Sequence, residues 1–256
     1  MRMPFQIPVE QESIMGMIHI PENGIKKHVM IMCYGFNGYR SDVHRIAVKF
    51  GEFLETKGLP LVRFDYRGQG ISEGDMNNVS LDSRVNDVCA VIDFVKGCFN
   101  DEHLSISLIG FSDGARIASM AALREEDVAD IILWNPIFET LNSSYSQKQY
   151  GRKKNSMFRN AKHGKWSYQY YGLPVNITYL SELVEGNSLS CLTNCSCKKF
   201  CIWGENDRFT KDSRDSLNPL MDKVDIVPSA GHLFFGSVSE NLVFEKTFSF
   251  IKDRYE

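Results

Sequence analysis

Gly110-Phe111-Ser112-Asp113-Gly114 sets a serine hydroxyl between two glycines. The apolar run 104–109 before it reads as a strand, and the small residues 115–123 after it read as a helix. A serine at the tip of a sharp strand-to-helix turn projects its hydroxyl clear of the backbone, and flanking glycines let the turn close. The helix that follows aims its first N–H groups, and the positive end of its dipole, at negative charge forming beside the serine. A serine in this position becomes a nucleophile only if a base can take its proton.

His232, in Ser229-Ala230-Gly231-His232-Leu233, follows the last strand-like run, 224–227, and is the expected base. The other five histidines are less well placed. His19 lies in an early strand, His28 precedes one, His44 is near a helix start, His103 precedes the serine's strand, and His163 falls in an irregular stretch. Asp207, in Gly204-Glu205-Asn206-Asp207-Arg208 directly after the run 200–203, is the first choice of acid to orient the imidazole. Glu205 and Glu139 are rivals, each close behind a strand. The chain order Ser112, Asp207, His232 is that of one known solution to this chemistry. Acyl transfer also needs two N–H donors aimed at one oxygen. The backbone N–H of Asp113 is one candidate, and that of Phe36, in Tyr34-Gly35-Phe36-Asn37-Gly38, is the natural second.

The elements that must hold these residues alternate. Strands are predicted at 13–20, 29–33, 61–64, 104–109, 131–134, 200–203 and 224–227. Helical stripes run through Ile46, Phe50, Phe53 and Leu54, through Leu81, Val85, Val88, Ile92 and Val95 with Ser80 as N-cap, and through Phe244, Phe248 and Ile251. The repeated strand–helix order predicts a mainly parallel, doubly wound sheet with helices on both faces. The rhythm breaks at 137–196, a polar and aromatic stretch too long for a bare connection. The expected organisation is therefore a core in two parts, 1–136 and 197–256, with an inserted lid between them. The aromatic residues of the insertion suit an acyl or aryl pocket and a small core of their own equally well. Arg152, Lys153, Lys154, Arg159, Lys162 and Lys165 make it locally basic, as a solvated face or as a docking surface for an anionic carrier.

Taken together these motifs resemble the α/β-hydrolase superfamily, and within it the feruloyl esterase-like and serine aminopeptidase-like branch. Asp65-Tyr66-Arg67-Gly68-Gln69-Gly70-Ile71-Ser72-Glu73-Gly74 looks like that branch's D-x-R-G-x-G-x-S-x-G loop, which fixes a turn beside the active site. Two departures stand out. Tyr34-Gly35 replaces the usual His-Gly, and Asp113 replaces the usual Met or Gln after the nucleophile. Asp113 is expected to face away from the oxyanion and to complement the helix N-terminus. The resemblance implies a serine hydrolase acting on a carboxylic ester. Thioesterase or acyltransferase action on a carrier or CoA thioester is the enzymatic alternative, and a ligand-binding relative without catalysis is the other.

Composition narrows the remaining classes. The 256 residues carry a net charge of −3, which offers no basic excess for nucleic acid. No apolar run is long enough to cross a bilayer, and the N-terminus lacks a secretory signal pattern, so cytoplasmic residence is expected. Seven cysteines are present. Cys33, Cys89 and Cys98 fall in apolar patterns and read as core residues. Cys191, Cys195, Cys197 and Cys201 have a spacing unlike a structural zinc site, so neither a metal nor a disulfide is expected, and no cofactor.

Overall fold

The computed structural model describes all residues except 23–26, 37, 100–102, 139–156, 160–163, 165, 171–172, 177–178, 180–181, 183–188 and 255–256. The chain runs β1 (Arg2–Val9), β2 (Glu12–His19), β3 (His28–Cys33), α1 (Ile46–Thr56), β4 (Leu61–Asp65), α2 (Leu81–Phe99), β5 (Ser105–Phe111), α3 (Gly114–Arg124) and β6 (Val128–Trp134). Three short strands follow, β7 (Met157–Arg159), β8 (Trp166–Tyr170) and β9 (Leu173–Asn176), then α4 (Leu189–Asn194). The last elements are β10 (Lys198–Gly204), α5 (Arg214–Leu217), β11 (Lys223–Val227) and α6 (Ser237–Ile251).

Eight strands form one sheet in the order β1-β2-β4-β3-β5-β6-β10-β11. β1 and β2 join antiparallel, and every pairing from β4 to β11 is parallel. The central strands are apolar on both faces, as a sheet covered by helices on each side requires. In β3 the side chains alternate between two cores. Val29, Ile31 and Cys33 pack with α2 and α3, while Met30 and Met32 pack with α1 and α6. Ser80 caps α2 as expected, accepting from the Ser83 amide at 3.0 Å, and Ser83 Oγ accepts in return from the Ser80 amide at 2.9 Å.

Three features depart from the sequence reading. β1 was not predicted. Pro4 and Pro8 interrupt its pattern, yet a sheet edge tolerates proline, and Phe5, Ile7 and Val9 still bury alternate positions. Cys98 is exposed in the last turn of α2 rather than part of the core, and Cys89 is half-buried. Cys195 and Cys197 form a disulfide across a single residue, with their Cα atoms 5.5 Å apart, whereas Cys201 is buried in β10. Within the expected insertion, β7, β8 and β9 form a separate three-stranded antiparallel sheet. Asn77, in the turn before α2, ties it to the core, bonding to Ser167 Oγ and, through its carbonyl, to Asn176 Nδ2 at 2.9 Å. Arg152, Lys153, Lys154, Lys162 and Lys165 lie outside the described residues.

The connection from β3 to α1 holds Asp42 buried with a positive φ of 54°. Burial pushes its carboxyl up to about 7, and the bond it accepts from the Val43 amide offsets only part of that. The unfolded chain releases this proton near 3.8, so between there and about 7 the folded state binds more protons. Stability from this group therefore falls as pH rises through that window. Asp42→Asn is expected to gain Tm relative to the wild type as pH rises from about 4 to 7, whatever the slope contributed by other groups, measured by thermal denaturation of the two proteins in parallel; a constant Tm difference across that range would contradict it.

Candidate active site

The C-terminal ends of β3, β5, β6 and β10 and the loop after β11 meet at one edge of the sheet, where open α/β sheets bind ligands. Ser112 directly follows β5, with a positive φ of 56°. Its amide bonds to Trp134 O at 2.9 Å, and its carbonyl accepts from the amides of Ala115 and Ile137. The turn is tight enough that a β-carbon at Gly114 would lie 2.2 Å from Cys33 O, which explains the glycine there. The strained residue is thus fixed on several sides, as strain at a functional site must be.

His232 and Asp207 complete a hydrogen-bonded chain with Ser112. His232 Nε2 lies 2.9 Å from Ser112 Oγ, and His232 Nδ1 lies 2.8 Å from Asp207 Oδ2. Asp207 is buried and also accepts from Thr210 Oγ1 at 2.7 Å and from the Phe209 amide at 2.8 Å. Burial alone would push the Asp207 carboxyl up. The hydrogen bond and charge of His232, with the bonds from Thr210 and Phe209, outweigh it and hold the group below its ordinary value. Asp207 is therefore ionised at neutral pH and keeps the imidazole proton on Nδ1. The Nε2 lone pair is left to face the serine hydroxyl. The rings of Phe111 and Phe209 flank the imidazole at 5.9 and 4.9 Å.

The rival acids are not at this point. Glu205 is exposed and accepts from the Ser229 amide at 2.7 Å, bracing the histidine loop from outside. Glu139 lies outside the described residues. Among the other histidines, His19 is buried in β2 against α1, held between Glu55 and Arg63. Burial, then the charges of Arg63 and Arg2, push it down to about 3, so it is neutral. His28 bonds to Ser107 inside the sheet. His44 does approach the site, with Nε2 2.8 Å from Leu233 O, and so holds the loop that carries His232.

Asn135 escaped the sequence reading, because an asparagine between a strand and a proline looks like ordinary turn chemistry. Its Nδ2 donates to His232 O at 2.9 Å and its Oδ1 accepts from the Gly204 amide at 2.7 Å. It joins the ends of β6 and β10 to the histidine loop.

On the other side of Ser112 lies the loop after β3. A β-carbon at Gly35 would stand 3.1 Å from Ser112 Cβ and 3.5 Å from its Oγ, so the Gly35–Phe36 backbone passes beside the hydroxyl. Asp113 opens α3 and is buried, but its carboxylate makes no capping hydrogen bond. Instead it lies 3.4 Å from Arg116 Nη2 and 3.9 Å from Arg84 Nη1. The expectation that it chiefly complements the helix N-terminus is corrected accordingly: two buried guanidiniums hold it. The Asp65–Gly74 loop supports this region. Asp65 accepts from the Arg40 amide at 2.6 Å and the Ile71 amide at 3.0 Å, and Arg67 bonds to Asp87 at 2.6 Å.

Residues 26–174, more than half of the chain, match the family described as serine aminopeptidase, S33, within the α/β-hydrolases. The chain belongs to this family. An uncharacterized 31.7 kDa protein from the traX-finO intergenic region of Escherichia coli is 28% identical over 121 residues, 47% of this chain and 41% of that one. The match thus spans about two fifths of that relative's length. Est1E from Butyrivibrio proteoclasticus, solved with ferulic acid bound, superposes with a TM-score of 0.74 at 18% identity, covering 97% of this hydrolase and 98% of Est1E. An esterase of Pyrococcus furiosus gives 0.72 at 18% identity, over 99% and 91% of the two chains. Both likenesses establish the fold. No helix of the hydrolase is long and apolar enough to cross a membrane, and no group of three or more metal-ligating side chains occurs, among the described residues.

Proposed function

We propose that this hydrolase cleaves carboxylic esters through an acyl-enzyme on Ser112, with His232 as general base and Asp207 as its orienting acid. The observation that carries the reading is the unbroken chain from Asp207 through His232 to Ser112, both links within 2.9 Å. Ser112 Oγ attacks the ester carbonyl carbon while His232 Nε2 takes its proton. The carbonyl oxygen becomes an oxyanion and accepts from the amides of Phe36 and Asp113. Collapse breaks the bond to the alcohol oxygen, which receives the proton from His232. Water, deprotonated by the same imidazole, then attacks the acyl carbon and releases the acid and free Ser112.

Ester chemistry is favoured by the fold shared with Est1E and with the Pyrococcus esterase. Residues 137–196 serve in this reading as a lid. The stacking of Tyr179 on Phe36, with centroids 5.6 Å apart, supports that role, since it sets the insertion against the oxyanion loop.

The test is a comparison of kcat/KM for p-nitrophenyl, feruloyl and acyl-thioester substrates, with Ser112→Ala as the blank. The expected result is turnover of oxygen esters at least about as fast as of thioesters, all of it lost in the blank. A thioester preference of tenfold or more would assign the enzyme to carrier or CoA thioesters instead. Folded protein that turns over none of them would mark a ligand-binding relative.

A further inference from the structure

Arg84 lies on the apolar face of α2 and is fully buried, with no carboxylate in hydrogen-bond contact. A buried guanidinium is costly unless its surroundings need it. Here its Nη2 donates to Phe36 O at 3.1 Å and to Gln69 Oε1 at 2.7 Å. Gln69 Nε2 donates to the same Phe36 oxygen at 3.1 Å. Nη1 stands 3.9 Å from the Asp113 carboxylate, and the guanidinium lies 5.8 Å from the centroid of the Phe36 ring and 5.1 Å from that of Tyr179. One cation therefore grips both residues whose amides face the reacting oxygen in the mechanism above.

We infer that Arg84 is the positioning residue of the oxyanion hole, fixing the Phe36 and Asp113 backbones from behind through Phe36 O, Gln69 and the Asp113 carboxylate. The inference rests on Ser112 being the nucleophile. It also accounts for the unusual aspartate after that serine. Asp113 supplies a charge for Arg84 to hold, and Arg84 in turn keeps that negative charge from opposing the oxyanion. With Arg116 at 3.4 Å the cluster carries two cations around one anion, so its net charge favours an oxyanion forming nearby.

A positioning role of this kind acts on the transition state and leaves substrate binding alone. Arg84→Met is expected to lower kcat about 10- to 100-fold with KM within about threefold, because small misplacements of oxyanion donors have effects of that size. Arg84→Lys keeps the charge without the fork and should recover part of the loss. Arg84→Met leaves Asp113 beside Arg116 at 3.4 Å, so no buried carboxylate is stranded, and Arg84→Gln, a second uncharged variant at the same position, should be slow as well. The discriminating readout is an alkyl trifluoromethyl ketone, which forms a tetrahedral oxyanion on the serine. Its Ki should rise in proportion to the fall in kcat, while the Ki of the matching alkyl methyl ketone stays unchanged. Folded variants with wild-type kcat, or a loss in kcat without weaker trifluoromethyl ketone binding, would overturn the inference. Wild-type protein that a fluorophosphonate does not label at Ser112 would instead overturn the nucleophile assignment, and this inference with it.

Discussion

Ser112→Ala is expected to lower kcat on any ester the enzyme accepts by about 10⁴- to 10⁶-fold, with little change in Tm. The size follows from the chain of bonds. Without Oγ, His232 Nε2 has no hydroxyl to deprotonate, and the acyl-enzyme route closes. The proposed backbone donors at Phe36 and Asp113 are untouched, so catalysis does not fall to that of water alone. Stability should hold, because alanine meets the positive φ at 112 with the same β-carbon as serine, and the backbone bonds of the turn do not involve the hydroxyl. Steady-state kinetics with active-site titration of the wild-type stock checks this. A loss below about 100-fold would mean that Ser112 does not carry the chemistry.

The second large effect is expected at Asp207. Asp207→Asn preserves size and can still meet the Phe209 amide, so the loop should keep its shape. The amide can also present its NH₂ to His232 Nδ1. The imidazole then carries its proton on Nε2 and offers Ser112 a donor where an acceptor is needed. A fall in kcat of about 10⁴-fold is expected on that ground. Asp207→Ala removes the orienting group without enforcing the wrong tautomer, so it should be no worse than Asp207→Asn. Near-wild-type kcat in Asp207→Asn would show that another acid orients His232.

Much of the site was legible because its chemistry demands particular residues at strand ends. The glycines around Ser112 follow from backbone contacts at the turn, and Gly114 against Cys33 O is the plainest case. His232 could be preferred over five other histidines from chain order and loop position together. Asp207 stood out from Glu205 only weakly in sequence, since both follow the same strand. The deciding fact is that one is buried and bonded to Thr210 while the other points outward. What stayed hidden depends on residues far apart in sequence. Arg84 reaches Phe36 across 48 positions and Asn135 reaches His232 across 97. The one trace of Arg84 in the sequence is a charge at the helical spacing of the stripe Leu81, Val85 and Val88, where a buried partner has to be waiting. β1 was lost to its prolines, because pattern alone cannot say that a strand will lie at an edge.

Intact-mass analysis after exposure to a fluorophosphonate, followed by peptide mapping, tests the central claim most directly. One phosphonyl group on Ser112 is predicted for the wild type. Labelling should be absent in Ser112→Ala and slowed by several orders of magnitude in His232→Ala. Folded wild-type protein left unlabelled, or labelled at another residue, would contradict the assignment of Ser112 as the nucleophile.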